Sequence, residues 1–511
     1  MAHKTLVGGT AYNITGGKSM VSGTTYNISG GRTLVGGTGY DISFGSGEAY
    51  AMLYSDGDFV FQRGDNVEDG KTLVKICTGF ENTYYSNSNS IPWKPNINTI
   101  VNIIYTDEIA PISMSSWYRN AKSLKNINYQ GLIWDKVTNM SYTYYYCYNL
   151  TSPPACGDNV IDMHSTYNQC KNLTGSPVCG ANVTNMGYTY SSCYKLTGSP
   201  VCGDNVIIMY YAYSNCRNLT GSPVCGANVT TMYETYRNCS NLTGSPACGN
   251  KVTTMYYTYY NCSNLTGSPV CGANVTNMSD TYRNCSNLTG SPVCGNKVTN
   301  MYYTYYNCYR LTGSPACGNK VTNMYYTYYN CSNLTGSPTC GANVTNMRCA
   351  YPNCSNLTGS PVCGANVTDM GYTYENCYKL TGSPVCGNNV TIMAWTYDNC
   401  KNLAGNAYFY SSIINNARGC FRNKNNSKRL NIYVPINSTT QTTVLSIGAY
   451  SLVTNSITYT NAGTYHYNTA YNIYIYPVEN VAAAAIANGD EEANANAGII
   501  VNVNHGGGAI D

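Results

Sequence analysis

The sequence predicts an α/β solenoid, an array of 23-residue coils with β-rich regions at both ends. A nearly invariant block repeats without interruption from Cys147 to Leu403. Apolar residues recur at the same places in every copy, and Pro and Gly punctuate each copy at a fixed place. A fixed period of about 20 to 50 residues is the sequence signature of a solenoid, in which neighbouring coils bury a shared core.

The coil that begins at Cys262 shows how each copy is expected to fold. Its apolar positions lie three, four and three residues apart, namely Val275, Met278, Tyr282 and Cys285. This spacing is typical of one stripe of a short helix, whose start Asn274 or Thr276 would cap. Leu265 lies in a short extended run before a Pro/Gly turn. Each coil is therefore predicted to be a short strand, a turn and a short helix, stacked at about 4.8 Å per coil.

The flanking regions differ from the array in composition and period. Residues 1–45 hold three short Gly-rich repeats, each predicted to form a β-hairpin used for attachment or oligomerisation. Residues 46–112 are predicted to be a small β-rich region, and the array is assigned to residues 113–403. A C-terminal β cap is expected over residues 404–476. An Ala-, Asn- and Gly-rich tail follows over residues 477–511, which we expect to be poorly ordered from residue 480 onward.

Charge and hydropathy narrow the classes of function. Only 10% of the 511 residues are charged, the formal net charge is +4 and no basic cluster occurs, so nucleic acid is not an expected partner. No apolar stretch is long enough for a transmembrane helix, so membrane insertion is not expected. The N-terminus shows no secretory signal, which predicts synthesis in a cytosol without export by the general route.

The 26 cysteines recur mainly in two registers, once per coil from Cys147 and once per coil from Cys156. Two interpretations are open: a disulfide framework, or stacked reduced thiols that act as small core residues. A reducing compartment and a ladder of identical neighbours without unique pairing favour reduced thiols. Zinc is not expected, because Cys262 and Cys271 are nine residues apart and no CxxC or histidine partner recurs.

No catalytic residue is predicted. The four histidines form no known catalytic arrangement in sequence with a Ser, Cys or acid, and His164 is expected to be exposed to solvent. Neighbouring acids lie in turn-like contexts, and no Walker loop, HExxH or GxSxG motif is present. We therefore expect neither an enzyme nor a cofactor, and no metal site.

The variable positions of the coil are rich in tyrosine and are expected to face outward. The chain has 53 Tyr and 6 Phe. The candidate binding surface consists of aromatic residues that follow the core Met, namely Tyr256, Tyr257, Tyr302, Tyr303, Tyr325, Tyr326, Tyr372 and Trp395. Exposed Tyr offers a large contact area at low entropic cost, so these rows would suit a sugar or another protein. The alternative is that the rows only pack along the helix face.

The repeat resembles a known family. Asn274–Thr289, which reads NVTNMSDTYRNCSNLT, is similar to the repeat of BspA-like leucine-rich repeat surface proteins, although Tyr stands where Phe is usual. The resemblance covers about residues 100–435 and implies a leucine-rich-repeat solenoid used for adhesion or display. The Gly-rich repeats of residues 1–45 are similar to segments of phage tail and fibre proteins, which are made without a signal and released by lysis.

These resemblances lead to competing hypotheses. The first is a phage virion structural protein, tail-fibre or receptor-binding-like, that is made in the host cytoplasm. Its partners would be a host cell-surface glycan or protein, virion or tail proteins through the N-terminus, and further copies in a homo-oligomer. The alternatives are a bacterial BspA-like adhesin at the cell surface and a structural spacer or filament protein without a ligand. An enzyme that degrades polysaccharide is disfavoured, because no constellation of acids is recognised.

Overall fold

The chain begins with short hairpins. The fold is taken from a computed structural model, which describes residues 47–436 except 86 and 426, residues 438–440, 473–490 and 494, and the backbone of eight further strands. Six of these strands form three antiparallel hairpins, namely β1 (His3–Val7) with β2 (Thr10–Ile14), β3 (Lys18–Val21) with β4 (Thr24–Asn27), and β5 (Arg32–Val35) with β6 (Thr38–Asp41). Each hairpin is a separate two-stranded sheet.

A five-stranded sheet precedes the array. Its strands, in the spatial order β11-β10-β8-β7-β9, are β7 (Ala49–Tyr54), β8 (Asp58–Arg63), β9 (Leu73–Cys77), β10 (Asn102–Tyr105) and β11 (Asn126–Asn128). The β7–β8 and β7–β9 pairs are antiparallel, whereas β10 runs parallel to both β8 and β11. Short 3-10 helices lie at Ser88–Ser90, Lys94–Asn96 and Trp134–Lys136. The sheet therefore changes to parallel pairing where the coils begin.

The array is a repeat solenoid, as the sequence predicts. Parallel bridges join consecutive coils without a break from Ser113 to Asn416. Between Asn139 and Ile392 the bridged residue recurs with the regular period of the repeat, whereas the first and last steps of the series are slightly longer. The bridge lies at the residue before the core Met, as at Asn277. The predicted strand at Leu265 is therefore wrong, and the residues that pair between coils lie elsewhere in the repeat.

The predicted short helix is also wrong. No helix lies between residues 137 and 403, all of which are described. The N–H groups of Met278, Asp280, Tyr282 and Asn284 donate to carbonyls of the next coil, whereas those of Thr281, Arg283 and Cys285 donate three residues back. Asp280 and Asn284 adopt a left-handed backbone, with φ of 52° and 62°. The left-handed residues turn every second backbone N–H toward the neighbouring coil, so the hydrogen bonds of an α-helix cannot form. Asn274 and Thr276 therefore have no helix to cap.

Columns of identical residues fill the solenoid core. Val275, Met278, Tyr282, Cys285 and Leu288 are all fully buried, as are their copies in the other regular coils. Burying each Leu or Met contributes about 1.5 to 3 kcal/mol relative to leaving it exposed. The coil buries these side chains only because its neighbours cover them on both sides, so stability depends on stacking.

The 26 cysteines are free thiols, and most of them are buried. In the buried column, the Sγ of Cys285 donates to the carbonyl of Tyr259 in the preceding coil at 3.0 Å. Burial raises the pKa of Cys285 well above its ordinary value. The buried thiols therefore act as small core residues that also form hydrogen bonds between neighbouring coils.

A buried tyrosine column runs the length of the array. The rings of Tyr118 to Tyr397 stack from coil to coil and end on Phe421, with centroids 5.1 to 5.6 Å apart. The Tyr282 hydroxyl accepts a hydrogen bond from the Val270 N–H at 2.9 Å and donates to the Val270 carbonyl at 2.7 Å. This clamp holds the Pro/Gly turn in most coils, and phenylalanine could not provide it.

A second sheet closes the far end of the array. In the order β12-β13-β14-β17-β16-β15, its strands are β12 (Val385–Cys386), β13 (Gly405–Phe409), β14 (Leu430–Pro435), β15 (Thr458–Tyr459), β16 (Tyr465–Asn468) and β17 (Ile473–Val478). Helix α1 (Val481–Ala487) packs on this sheet through Val481 and Ala485. The expectation of a poorly ordered tail is wrong for α1, whose N-terminus Asn480 caps.

Candidate recognition surface

One surface of the solenoid carries most of the variation between coils. We call it the aromatic face and define it by the first, second and fifth residues after the core Met. Three coils have tyrosine at all three positions, namely Tyr256, Tyr257 and Tyr260; Tyr302, Tyr303 and Tyr306; and Tyr325, Tyr326 and Tyr329. Tyr372 and Trp395 occupy the second position in later coils. All eight residues predicted from the sequence therefore lie on this face.

The tyrosines of this face are half-buried, although the sequence pattern predicts them to be exposed. Tyr302 stacks on Tyr325 with centroids 5.5 Å apart, and Tyr303 stacks on Tyr326 at 4.7 Å. Within a coil, Tyr302 meets Tyr303 edge to face at 4.4 Å. The rings pack in rows along the solenoid axis, so each ring is partly covered by its neighbours.

The second position of the face is held in an unfavourable backbone conformation. Tyr257, Tyr303 and Tyr326 have φ of 54°, 53° and 55°, and Trp395 has φ of 59°. Positive φ is uncommon for residues other than glycine, and bulky side chains adopt it least often. A second left-handed column, at the last position of the coil, is mostly asparagine. Its side chains form an amide ladder, as where Asn284 Nδ2 donates to Asn261 Oδ1 at 2.7 Å.

Arginine side chains join the aromatic rows, although the sequence pattern did not indicate them. Arg283 lies over the rings of Tyr303 and Tyr306 at 4.4 and 4.9 Å, and over Tyr260 at 5.6 Å. It therefore links the coil of Tyr260 to the coil of Tyr303, which are not adjacent. Arg237 lies over Tyr257 and Tyr260 at 5.5 Å from each centroid. Both arginines occupy the fifth position after the core Met, so aligning the copies by position would have found them.

Buried carboxylates anchor these arginines from below. Asp280 is only 1% exposed and accepts from Arg283 Nη1 at 3.0 Å. Glu234 pairs in the same way with Arg237 at 2.7 Å. Burial raises the pKa of Asp280, and the hydrogen bond from Arg283 opposes that shift. Each charged pair replaces two tyrosines of the face by a fixed cation that rests on neighbouring rings.

Tyr372 and Trp395 form a separate patch. Their ring centroids are 6.2 Å apart, and a coil that carries Arg348 and Cys349 separates them from Tyr325 and Tyr326. The Arg422 guanidinium lies 4.3 Å from the Trp395 centroid and pairs with Asp398 at 2.6 Å. The structure thus places four of the predicted residues in two adjacent coils and the pair Tyr372 and Trp395 in two others, and one intervening coil likewise separates Tyr256 and Tyr257 from the four.

His164 is half-buried, so the expectation that it is exposed to solvent is wrong. Its Nε2 lies 3.1 Å from the Tyr142 hydroxyl, and its ring also contacts the rings of Tyr188 and Tyr210. Burial lowers the pKa of His164. Gly187 leaves room for this ring, because a Cβ atom there would lie 3.0 Å from His164 Nδ1.

Within residues 47–436 and the other described segments, no group of three or more His, Cys, Asp or Glu side chains is placed to hold a metal ion. In the same part of the chain, no helix has the length and apolar character needed to cross a membrane.

Comparisons with known proteins return fold similarity only. No protein-family model matches the chain, and no curated protein matches it in sequence. A leucine-rich repeat protein from Bacteroides ovatus ATCC 8483 is 14% identical over 75% of this chain and 93% of that chain, with a TM-score of 0.42. A leucine-rich cell surface protein from Faecalibacterium prausnitzii A2-165 is 12% identical over 70% and 93%, with a TM-score of 0.32. The solenoid is defined by its own parallel bridges, independently of these similarities.

Proposed function

We propose that this chain is a non-catalytic recognition protein, an adhesin of the BspA-like leucine-rich repeat kind that acts at a bacterial cell surface. Its aromatic face would bind a glycan or protein of a host cell surface. One observation carries the proposal: aromatic side chains occupy a left-handed column in which glycine or asparagine would be less strained. Residues held in strained conformations cluster at functional sites.

The energetic argument compares the two left-handed columns. A residue with a Cβ atom loses roughly 1 to 2 kcal/mol in this conformation, and asparagine tolerates it best among residues other than glycine. The last position of the coil uses asparagine from Asn215 to Asn399. The second position after the core Met varies instead among Tyr, Trp, Glu, Asp, Ser and Cys. Ring stacking and the arginine contacts offset the strain at positions such as Tyr303 without favouring tyrosine over asparagine, so stability of the fold does not single out that choice, whereas a binding surface would.

The exposed chemistry of the face suits a hydroxyl-rich or mixed polar ligand. Tyrosine rings and guanidinium groups share the face along the axis, and the carboxylates of Asp280 and Glu234 are buried. Tyr and Arg are among the side chains most enriched where binding energy concentrates in protein interfaces. The face therefore offers large contact area that is already ordered by its own stacking.

A glycan array tests this proposal. The full chain would be compared with a variant that carries Tyr302→Ser, Tyr303→Ser, Tyr325→Ser and Tyr326→Ser. The matched control is Tyr309→Ser with Tyr378→Ser, because these tyrosines are exposed on another column in which other copies have serine. We expect the fourfold variant to lose at least tenfold in affinity and the control to bind like the unaltered chain.

Either of two results would contradict the proposal. If the fourfold variant, shown to be folded by its circular dichroism, binds as well as the unaltered chain, the aromatic face only packs. If no surface glycan and no surface protein extract binds the unaltered chain, the array is a structural spacer.

A virion component is the second candidate function, because three separate hairpins precede the folded body. Two-stranded hairpins are marginal alone and become ordered by association with a partner or with other copies. In this role, residues 3–41 would attach the chain to tail proteins. The attachment role that the resemblance of the Gly-rich repeats to phage tail segments implies stays a prediction. The test is whether the full chain and a fragment of residues 47–511 co-purify with tail particles. Co-purification of the full chain alone would favour the virion component, and co-purification of neither would favour the adhesin.

A further inference from the structure

A pocket lies where the N-terminal sheet region meets the first coils, several coils before Tyr256. Its volume is about 430 Å³. Its lining comes from the segment before β10, from the first coil and from the second. Ile97 lines it, together with the polar and aromatic residues Lys94, Asn98, Asn120, Lys122, Tyr146 and Tyr148. The pocket is therefore built by three parts of the chain that meet only in the folded structure.

Two lysines line this pocket, and neither Lys94 nor Lys122 takes part in an ion pair within the described segments. Lys94 is half-buried, and its Nζ donates to the Arg119 carbonyl at 2.9 Å, which uses one of its three donors. Burial lowers the pKa of Lys94, and the nearby positive charge of Arg119 lowers it further. A half-buried cation without a counter-ion is destabilising, and a bound anion would relieve that cost.

Tyr146 differs from the residues at the same position of most other coils, which are asparagine. It holds the last position of its coil at φ of 63°, where Asn120 stands in the coil before and asparagine stands in most later coils. Its ring meets the ring of Tyr148 edge to face, with centroids 5.4 Å apart. An aromatic residue in a left-handed position that asparagine fills elsewhere is a strained choice, and here it provides one wall of the pocket.

We propose that this pocket binds an acidic sugar residue through its carboxylate. Lys94 and Lys122 would contact the carboxylate, the rings of Tyr146 and Tyr148 would contact the sugar ring, and the two carboxamides of the lining would hydrogen-bond its hydroxyl groups. The site uses none of the tyrosines altered in the glycan-array test, so either proposal can fail without the other. No covalent step is involved.

The lining favours a sugar acid over a bare anion. A phosphate or sulfate ion would contact the two lysines but would make no use of the two carboxamides or of the exposed parts of the tyrosine rings, although Lys171 Nζ also lies over Tyr148 at 4.8 Å. A neutral sugar would use the rings and carboxamides but leave both ammonium groups uncompensated. Only a ligand that carries both a charge and a ring uses the whole lining.

Titration calorimetry on the full chain tests the site. The probes are a short oligogalacturonate, a neutral galactose oligomer of the same length and inorganic phosphate. We expect the oligogalacturonate to bind, to weaken as ionic strength rises, and to lose at least tenfold in affinity in Lys94→Met and in Tyr146→Asn. Lys320→Met, an exposed lysine far along the array, serves as the matched control and should bind unchanged.

Tyr146→Asn keeps the test informative if Lys94→Met fails to fold, because asparagine is native to this column and suits its backbone. Equal binding of the neutral oligomer would overturn the proposal, since the lysines would then play no part. Inorganic phosphate that binds as tightly as the oligogalacturonate would overturn the role of the tyrosine rings. Absence of oligogalacturonate binding by the folded chain would overturn the site as a whole.

Discussion

Two tyrosine columns run side by side along the solenoid, and they serve different purposes. The column of Tyr282 is fully buried, and most of its hydroxyl groups are hydrogen-bonded on both sides. The column of Tyr303 is half-buried, left-handed in backbone and interrupted by Asp280, Cys349 and other residues. The buried column does not vary within the regular array, because each ring is both a core element and a clamp.

The difference shows how one residue type can serve both the core and the surface of a repeat. A buried tyrosine is confined by the coils on both sides and by the backbone that its hydroxyl group binds. A surface tyrosine is confined only by its neighbours in the row, so a change there is tolerated by the coil. Variation at the surface column therefore costs the fold little, and the proposed binding surface can differ from coil to coil.

The largest expected effect is a loss of stability at high pH. Burial raises the pKa of Tyr282 and of the other column members well above the ordinary value. Their contribution to stability is complete below the unfolded pKa of about 10 and is lost as pH rises toward the folded pKa. We expect the free energy of unfolding, followed through the denaturant midpoint, to stay level up to about pH 8 and then to fall steeply, by roughly 1.4 kcal/mol per pH unit for each buried thiol or tyrosine that titrates in the unfolded chain, because burial raises the pKa of the core cysteines as well. A midpoint unchanged at pH 11 would contradict the assignment of these hydroxyls to the core.

The second effect concerns the clamp. Tyr282→Phe removes the hydroxyl that binds both the N–H and the carbonyl of Val270. Because these groups are partly buried, we expect a loss of about 1 to 3 kcal/mol in the free energy of unfolding. Equilibrium denaturation measures the loss, and hydrogen exchange at Val270 should become faster. An unaltered exchange rate at Val270 would mean that the clamp does not hold the turn.

The third effect concerns the surface column. Tyr303→Asn relieves left-handed strain of roughly 1 to 2 kcal/mol. It also removes the stack on Tyr326, worth about 0.5 to 1.5 kcal/mol, and the contact with Arg283, worth about 0.5 to 1 kcal/mol. These terms nearly cancel, so we expect a change in stability within about 1 kcal/mol, measured by the same denaturation. A loss as large as that of Tyr282→Phe would show that the aromatic face is part of the stabilising core.

The smallest expected effect concerns Tyr397, a member of the buried column whose hydroxyl does not form the clamp. The buried Tyr397 hydroxyl has no hydrogen-bond partner among the described residues, and the ring stacks on Phe421 at 5.2 Å. Val385, which stands where the clamped residue stands in other coils, belongs to β12 and pairs with β13, so the turn that Tyr397 would hold has moved away. Removing an unsatisfied buried hydroxyl by Tyr397→Phe should be neutral or stabilise by up to about 1 kcal/mol. A clear loss of stability would show that this hydroxyl has a partner in solution.

The helix illustrates where prediction from sequence fails. The spacing of Val275, Met278, Tyr282 and Cys285 fits a helical stripe as well as it fits a chain of turns, because both bury every third or fourth residue. What decides between them is the hydrogen bonding to the next coil, which takes up the N–H groups of Met278 and of every second residue after it as far as Asn284. Those partners lie a whole coil away along the chain, so the local pattern carries no information about them.

The candidate surface shows a similar division. The eight aromatic residues could be named from their place after the core Met, because the repeat makes corresponding positions visible. The roles of Arg237 and Arg283 could not be recognised, since arginine in a tyrosine column does not look like part of an aromatic surface until it lies on the rings. The pocket of Lys94 and Tyr146 could not be found from sequence, because its walls come from separate segments of the chain.

By itself the sequence determined the period, the buried columns and the surface on which the coils differ. Those features follow from the repetition of residue types, since identical coils must bury identical positions against each other. Tertiary structure alone decided that the coil is turned rather than helical, that the core tyrosine needs its hydroxyl, and that the surface tyrosines stack half-buried. Each of these depends on groups that a neighbouring coil or a distant segment supplies, and such contacts exist only after the coils have stacked.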